Sequence, residues 1–160
     1  MSTPLPTVHN LPIFSQIVPE NIEQQVNELL AHHRAAIQQL LNNKKSYTWN
    51  NLAKPLEDLE DELDKLWGPI AHLNAVMNCE ALREKYHLCL PKLSEYATFV
   101  GQNEQLYNAF KRLAVSEEFS TLDVAQQKVI TDALLDFQLS GVALPQQSID
   151  CRFTTAKFNK

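Results

Sequence analysis

Glycine is scarce in this sequence. Only Gly68, Gly101 and Gly141 occur among 160 residues, where an average usage of about 7% would give roughly eleven. Sheets and tight hairpins rely on glycine at their turns, because glycine reaches backbone angles that other residues avoid. The scarcity therefore predicts long helices joined by few connections.

Cysteine is also scarce, and its count is odd. The chain has Cys79, Cys89 and Cys151, whereas a secreted disulfide framework uses paired cysteines. On one helix, Cys79 and Cys89 would lie about 15 Å apart, beyond the roughly 7 Å between Cα atoms that a disulfide spans. We therefore expect reduced thiols in a cytoplasmic protein.

Long apolar runs and basic patches are missing as well. No apolar run approaches the ~20 residues that cross a membrane, and the first ten residues lack the apolar segment of a signal peptide. The formal net charge is -5 at pH 7, and the one basic pair, Lys44-Lys45, suits a helix C-terminus. A nucleic-acid-binding protein needs a basic surface. These observations predict neither a membrane nor a nucleic acid as partner.

The stretch from Tyr47 to Asn78 has the strongest helical pattern. Its apolar residues recur in alternating steps of four and three, which places them on one stripe of a helix. That stripe consists of Leu52, Leu56, Leu59, Leu63, Leu66, Ile70, Leu73 and Met77. Thr48 is the expected N-cap. Gly68-Pro69 should kink the helix without ending it, because the stripe keeps its register beyond the proline.

Three further segments show the same spacing. The first helix should begin at Pro19, since proline suits a first helical turn, and His33 fills a gap in its apolar stripe. The third should follow Asn78, break at Gly101 and continue to about Ala114. The fourth should carry its stripe on Leu122, Ala125, Val129, Ala133 and Phe137. Ser120 and Asp123 resemble a capping box before it, and Gly141 suits its left-handed C-terminal cap.

These segments predict an all-α fold, with four long antiparallel amphipathic helices, a truncated fifth opened by Pro145, and no sheet. We expect an extended lead-in over residues 1–18, a helical domain over 19–145 and a C-terminal helix or tail over 146–160. Leu59, Leu63 and Leu66 should be buried at the middle of the second helix.

No pattern for catalysis or metal binding emerges. A zinc-binding His-Glu-x-x-His helix needs two histidines four residues apart, and none of His9, His32, His33, His72 and His87 has that spacing. Glu84 and His87 match half of a di-iron motif, but no second copy exists and both fall off the apolar stripe. We therefore predict no catalytic, cofactor-binding or metal-binding residue.

Short matches to a known family run in order along the chain. They are Leu11-Pro12-Ile13-Phe14, Tyr47-Thr48-Trp49, Asn51-Leu52, Pro55-Leu56, His72-Leu73-Asn74, Leu82-Arg83-Glu84, Leu93-Ser94-Glu95-Tyr96, Val100-Gly101-Gln102, Leu106-Tyr107, Asp136-Phe137 and Leu139-Ser140-Gly141. Together they resemble the N-terminal region of the thimet oligopeptidase family of zinc metallopeptidases, in its oligopeptidase A branch.

The resemblance implies a mostly helical cytoplasmic peptidase, several times longer than this chain, that cleaves short peptides inside a deep channel. Its N-terminal helices form part of one channel wall. Its zinc ligands and general-base glutamate lie in its C-terminal part, and no position here matches them. The resemblance therefore implies no catalysis by this chain, zinc only in the longer relative, and the missing catalytic region as partner.

Two interpretations follow. The chain is either the non-catalytic N-terminal part of such a peptidase, or a stand-alone helical protein-binding module that reuses the scaffold. Because the N-terminal helices of the resembled enzyme pack against the rest of its chain, we expect an exposed apolar face here and a homodimer formed through it or by exchange of the tail. The alternative is a monomer whose tail folds back and covers that face. The candidates for that face lie outside the main stripes and are Trp67, Val76, Phe99, Phe153 and Phe158.

Overall fold

A computed structural model of the chain describes residue 14 and residues 17–42, 46–77 and 79–142. Within these ranges the structure contains helices and turns and no strand, so the predicted all-α class is confirmed. The five α-helices are α1 (Pro19–Asn42), α2 (Lys54–Val76), α3 (Glu80–Gly101), α4 (Glu104–Ala114) and α5 (Val124–Leu139).

The second predicted helix begins as expected but changes type. Thr48 is its N-cap: the Thr48 hydroxyl accepts the backbone N–H of Asn51 at 3.1 Å, and the Asn51 side chain accepts the N–H of Thr48 at 2.8 Å. The residues that follow, Trp49–Ala53, form a π-helix that leads into α2. Pro55 then lies in the first turn of α2, directly after the π-helix.

Helix α2 continues through Gly68-Pro69, which confirms that the proline does not end it. A residue with a Cβ atom in front of proline meets the proline ring when it is helical. Gly68 has no Cβ, which removes that part of the clash. Pro69 and Ile70 are both buried.

The third predicted segment consists of two helices, α3 and α4. Asn103 caps α4 by accepting the backbone N–H of Leu106 at 3.0 Å, and α3 accommodates Pro91 within its length. The predicted cap at Asn78 lies outside the described residues. Near the start of α4, Tyr107 contacts Phe137 and Gln138 at the end of α5. Since residues 115–123 join their other ends, α4 and α5 run antiparallel.

The predicted N-cap of the fourth predicted helix, which is α5 in the structure, was wrong by one turn. Ser120 belongs to a 3-10 helix, Glu118–Thr121, and its hydroxyl donates to the Glu117 carbonyl at 2.7 Å. Asp123 is the N-cap of α5 instead, and it forms a capping box with Gln126. Glutamine three residues after the cap is a preferred partner in that motif.

Gly141 ends α5 as predicted. Its φ is 85°, a left-handed conformation that costs glycine little. The N–H of Gly141 donates to the Gln138 carbonyl at 3.1 Å, and that of Val142 to the Phe137 carbonyl at 3.2 Å. This pair of bonds is the Schellman motif. The predicted fifth helix, from Pro145, lies outside the described residues.

The chain divides into two compact units. Unit 1 comprises Met1–Gln38 and Leu56–Ser94, and unit 2 comprises Gln39–Pro55 and Glu95–Lys160. Among its described residues, those buried in unit 1 are Ile22, Val26, Leu30, His33, Ile37, Leu59, Pro69, Ile70, Leu82 and Cys89. In the described part of unit 2 they are Leu41, Leu52, Ala53, Leu106, Ala109, Phe110, Leu113, Ile130 and Phe137. The predicted domain limits at residues 18 and 145 stay predictions.

Burial on α2 is narrower than its apolar stripe. Leu59 and Ile70 are buried, whereas Leu63 and Leu66 are only half-buried, so the prediction was wrong for those two. A helix turns about 100° per residue, which places Leu59 and Ile70 about 20° apart with Leu63 and Leu66 on either side. Pro69 is buried although it lies about 60° beyond Leu66 on the same side of the helix, so angular position alone does not separate the half-buried leucines from the buried residues.

The stripe of α5 was also predicted incorrectly. Ala125 is exposed, and Ile130, which the four-three pattern left out, is fully buried. Phe137 is buried as expected. Ile130 and Phe137 stand seven residues apart and so lie on one face, which is the face that packs in unit 2.

Candidate functional site

The most buried polar side chain in the described residues is His33 of α1. Its ring is inaccessible to solvent, and its Nε2 atom lies 3.4 Å from Oε2 of Glu62 on α2. Burial lowers the pKa of His33, and the nearby Glu62 carboxylate only partly opposes that effect. His32, next to it, is exposed. The sequence indicated that His33 fills a gap in the stripe of α1, and the structure confirms that placement.

A second polar cluster joins α1 and α3 in unit 1. Lys92 donates to Glu23 at 2.7 Å and to Asn27 at 2.9 Å, and Lys85 lies 3.7 Å from Glu23. The hydrogen bond from Lys92 is the main reason that the pKa of Glu23 is lowered. Cys89 is fully buried, and burial raises the pKa of its thiol. A buried thiol with a raised pKa is a poor nucleophile, so we assign this cluster to packing.

Aromatic side chains form a third feature of unit 1. Trp67 of α2 stacks on Tyr86 of α3 with ring centroids 4.9 Å apart and planes 14° from parallel. His87 meets the edge of Tyr86 at 5.7 Å. Trp67 and Tyr86 are half-buried and His87 is exposed. Trp67 was predicted to belong to an exposed apolar face, but its stacking on Tyr86 covers part of the ring.

The start of the π-helix is held by side chains of unit 2. Trp49 donates its backbone N–H to Oε1 of Glu118 at 3.1 Å, and the Arg112 guanidinium lies 5.2 Å from the ring centroid of Tyr47. The Lys111 ammonium likewise lies 5.2 Å from the ring centroid of Tyr107. These contacts connect the 46–53 segment to α4 and to the 3-10 helix.

The described residues contain no group of three or more His, Cys, Asp or Glu side chains that could hold a metal ion. Glu84 and His87 are both exposed on α3, as their position off the stripe predicted. Cys79 and Cys89 are free thiols, and Cys151 lies outside the described residues. None of the helices described here is long and apolar enough to cross a membrane.

Exposed apolar residues differ from those expected. Val76 is 64% exposed, as predicted, whereas Phe99 is half-buried and Phe153 and Phe158 lie outside the described residues. The predicted face did not include Leu135 and Leu139 of α5, which are 52% and 76% exposed. A signal was present, because two leucines four residues apart form one face of a helix, but the chosen stripe passed through other positions.

The sequence of this chain matches a known family. A family model described as "Neurolysin/Thimet oligopeptidase, N-terminal domain" matches residues 26–148. The chain belongs to this family. Helices α2 to α5 of this oligopeptidase-family chain lie inside the matched range, and so does most of α1.

Curated relatives agree with the family match. The chain is 45% identical over 147 residues to Oligopeptidase A of Salmonella typhimurium, and 46% identical over 147 residues to that of Haemophilus influenzae. These matches cover 92% of this chain, but 22% and 21% of the two relatives. A protein of Arabidopsis thaliana named "Probable cytosolic oligopeptidase A" is 30% identical over 89% of the chain and 20% of its own length. The chain thus spans about a fifth of the length of the relatives it matches.

Proposed function

We propose that this chain serves as the non-catalytic N-terminal helical part of an oligopeptidase A-like zinc metallopeptidase that degrades short peptides. Its helices would contribute part of the wall of the substrate channel. The observation that supports this proposal most directly is that the match covers 92% of this chain but 22% of the Salmonella relative. The description of the matching model as an N-terminal domain supports the same role.

In this proposal the chain shapes the space in which a peptide lies, and the remaining region of the peptidase is its partner. That region would supply the zinc ligands and the general base, because no two histidines of this chain are four residues apart as a His-Glu-x-x-His helix requires. The zinc would activate a water molecule for peptide hydrolysis. We propose a cytoplasmic location, in keeping with the cytosolic relative.

Exposed apolar side chains supply candidate contacts for that partner. On unit 1, Val76, Met77 and Leu88 are each more than two-fifths exposed. Apolar side chains on a surface favour association when they adjoin one another, and Val76 and Met77 are consecutive. This pair is therefore the first contact to test.

The test mixes the purified chain with Oligopeptidase A of Salmonella typhimurium from which the matching N-terminal fifth has been removed. We expect the two polypeptides to associate in sedimentation velocity and to cleave a short fluorogenic peptide at a rate that neither reaches alone. The double substitution Val76→Ser and Met77→Ser should weaken association about tenfold. The control pair, Gln24→Ser with Glu28→Ser, changes exposed polar residues on α1 and should leave it unchanged.

The chain by itself should bind no stoichiometric zinc after dialysis and should cleave no short peptide. Zinc retained at one ion per chain, with cleavage that a chelator abolishes, would contradict the non-catalytic role. Failure of the mixed polypeptides to associate would contradict the partnership and favour a separate helical binding module.

A further inference from the structure

We propose that His33 is a pH-sensitive switch: when its buried ring takes up a proton from solvent, the half of α1 that contains it separates from α2 while the rest of the chain stays folded. The ring belongs to the middle of α1 and is inaccessible to solvent. Across the contact with α2, Nε2 of His33 lies 3.4 Å from Oε2 of Glu62. The proposal concerns unit 1 alone and does not rest on the proposed peptidase role.

Apolar side chains share the face of α1 that carries this ring. Helical spacing places three buried residues on the same face as His33, namely Val26, Leu30 and Ile37. Leu59 of α2 is buried as well. A charged group loses its hydration in such surroundings, which disfavours the charged form unless close partners replace the water. The neutral imidazole is therefore the form that suits the closed contact.

Glu62 balances the charge of a protonated ring only in part. Its side chain is 51% exposed, so water screens its attraction for the ring, and the 3.4 Å separation is longer than the roughly 2.7–3.2 Å of an ordinary N–H···O hydrogen bond. His32, the neighbour on α1, opposes a further positive charge. Burial accordingly outweighs Glu62 and lowers the pKa of His33 in the closed form.

The lysines of α3 that contact α1 lie near its other end. Lys85 and Lys92 both pair with Glu23, which is ten residues from His33 along α1, or about 15 Å. The hydrogen bond from Lys92 lowers the pKa of Glu23, so this attachment stays ionised in mild acid. The N-terminal end of α1 therefore stays attached to α3 when His33 is protonated.

The contact between α2 and α3 is likewise insensitive to mild acid. Trp67 stacks on Tyr86 with ring centroids 4.9 Å apart, and neither ring titrates near neutral pH. Among these three contacts of unit 1, mild acid weakens the one at His33. Segments of a folded protein can open locally without global unfolding. We therefore expect the opening to be confined to residues 29–38 of α1.

The sign and size of the effect follow from the proton balance. In the open form the ring of His33 is solvated and its pKa is about 6.5, the ordinary value, whereas burial lowers that pKa in the closed form. The open form therefore binds more protons below about pH 6.5, and its population rises as the pH falls. At pH 5.5, one unit below the ordinary value, the gain over pH 7.5 is at most about tenfold.

Hydrogen exchange followed by mass spectrometry measures this opening in the full folded chain at pH 7.5 and pH 5.5. Each exchange rate is divided by the intrinsic amide rate at the same pH, because exchange itself slows in acid. We expect the protection of backbone amides in residues 29–38 to fall about fivefold to tenfold at pH 5.5. Amides of residues 128–137 of α5, in unit 2, should keep their protection.

Three substitutions separate His33 from the groups beside it. His32→Gln, on the exposed neighbour, should keep the fall in protection, and His33→Gln should abolish it. Glu62→Gln leaves the buried ring in place and decides the question if circular dichroism shows that the His33 variant does not fold. Without the carboxylate the closed form holds a protonated ring less well, so the fall should be kept or enlarged.

The outcomes that contradict the switch are distinct. Protection of residues 29–38 that does not change with pH would overturn it, as would a change that persists in His33→Gln. An equal fall in α2, α3 and α5 would overturn local opening in favour of a global loss of stability. Loss of the effect in Glu62→Gln would overturn the role of His33 in favour of titration of that carboxylate.

Discussion

Trp49 donates its backbone N–H to Oε1 of Glu118, 69 positions further along the chain, at 3.1 Å. The first N–H groups of a helix have no partner within the helix, and Trp49 is the first residue of the π-helix that precedes α2. A carboxylate there also complements the positive end of the helix dipole. Glu118 thus completes a cap that Thr48 and Asn51 begin.

Removing this carboxylate should destabilise unit 2. Glu118→Ala should lower the free energy of unfolding by about 1–2 kcal/mol, since a hydrogen bond to a charged group at a partly exposed site contributes in that range. Glu117→Ala, on the exposed neighbour, should change it by less than about 0.5 kcal/mol. Urea titration can follow Trp49 fluorescence in a Trp67→Phe background, because each unit contains one of the two tryptophans. Equal losses for the two variants would contradict the assigned bond.

Gly101 permits close approach of the ends of α3 and α5. A Cβ atom on Gly101 would lie 2.7 Å from Oγ and 3.0 Å from Cβ of Ser140. Gly101→Ala should therefore destabilise the protein by about 1 kcal/mol, because overpacking of about 1–3 kcal/mol exceeds the gain of about 0.5–1 kcal/mol from replacing glycine in a helix. Adding Ser140→Gly should relieve the clash. A double-mutant cycle with no coupling between the two sites would show that the contact is absent.

Truncating a buried side chain of α2 to alanine should lower the free energy of unfolding more than truncating a half-buried one. Ile70 is fully buried and Leu63 is half-buried. Ile70→Ala should cost about 2–5 kcal/mol, the usual range for a buried aliphatic side chain, and Leu63→Ala should cost about half as much or less. Chemical denaturation monitored by circular dichroism compares the two variants. A greater loss at Leu63 would mean that the centre of the stripe lies elsewhere.

The buried imidazole of His33 should make unit 1 sensitive to mild acid. Burial holds the pKa of His33 in the folded chain below its ordinary value, so between these two values the unfolded chain binds more protons. Stability should accordingly fall as the pH drops below about 6.5, where an unfolded histidine becomes protonated.

Urea unfolding at pH 7.5 and pH 5.5 measures this loss. His33→Gln should reduce the difference in stability between the two values, whereas His32→Gln, on the exposed neighbour, should preserve it. Glu62→Gln removes the carboxylate that opposes the effect of burial, and should extend the loss to lower pH. A difference that His33→Gln leaves unaltered would assign the acid sensitivity to other groups.

The sequence by itself determined where helices form and two of their caps, although it placed the N-cap of α5 one turn too early. The four-three spacing around Leu59 and Ile70 depends only on the helical repeat, and the caps at Thr48 and Gly141 depend on local backbone geometry. The absence of two histidines four residues apart and the family resemblance also needed no coordinates. Local rules of this kind act within about one helical turn, so they can be applied to the chain before it folds.

Only the tertiary structure decided which part of each apolar stripe is buried. Leu63 and Leu66 are half-buried although they satisfy the same spacing as Leu59, and Ile130 is buried although the chosen stripe omitted it. The partners across long separations, such as Glu118 for Trp49 and Glu62 for His33, were equally unpredictable. Burial and these contacts depend on which neighbouring helix covers a residue. The periodicity of one helix sets the direction of a side chain but contains no information about the neighbour that meets it.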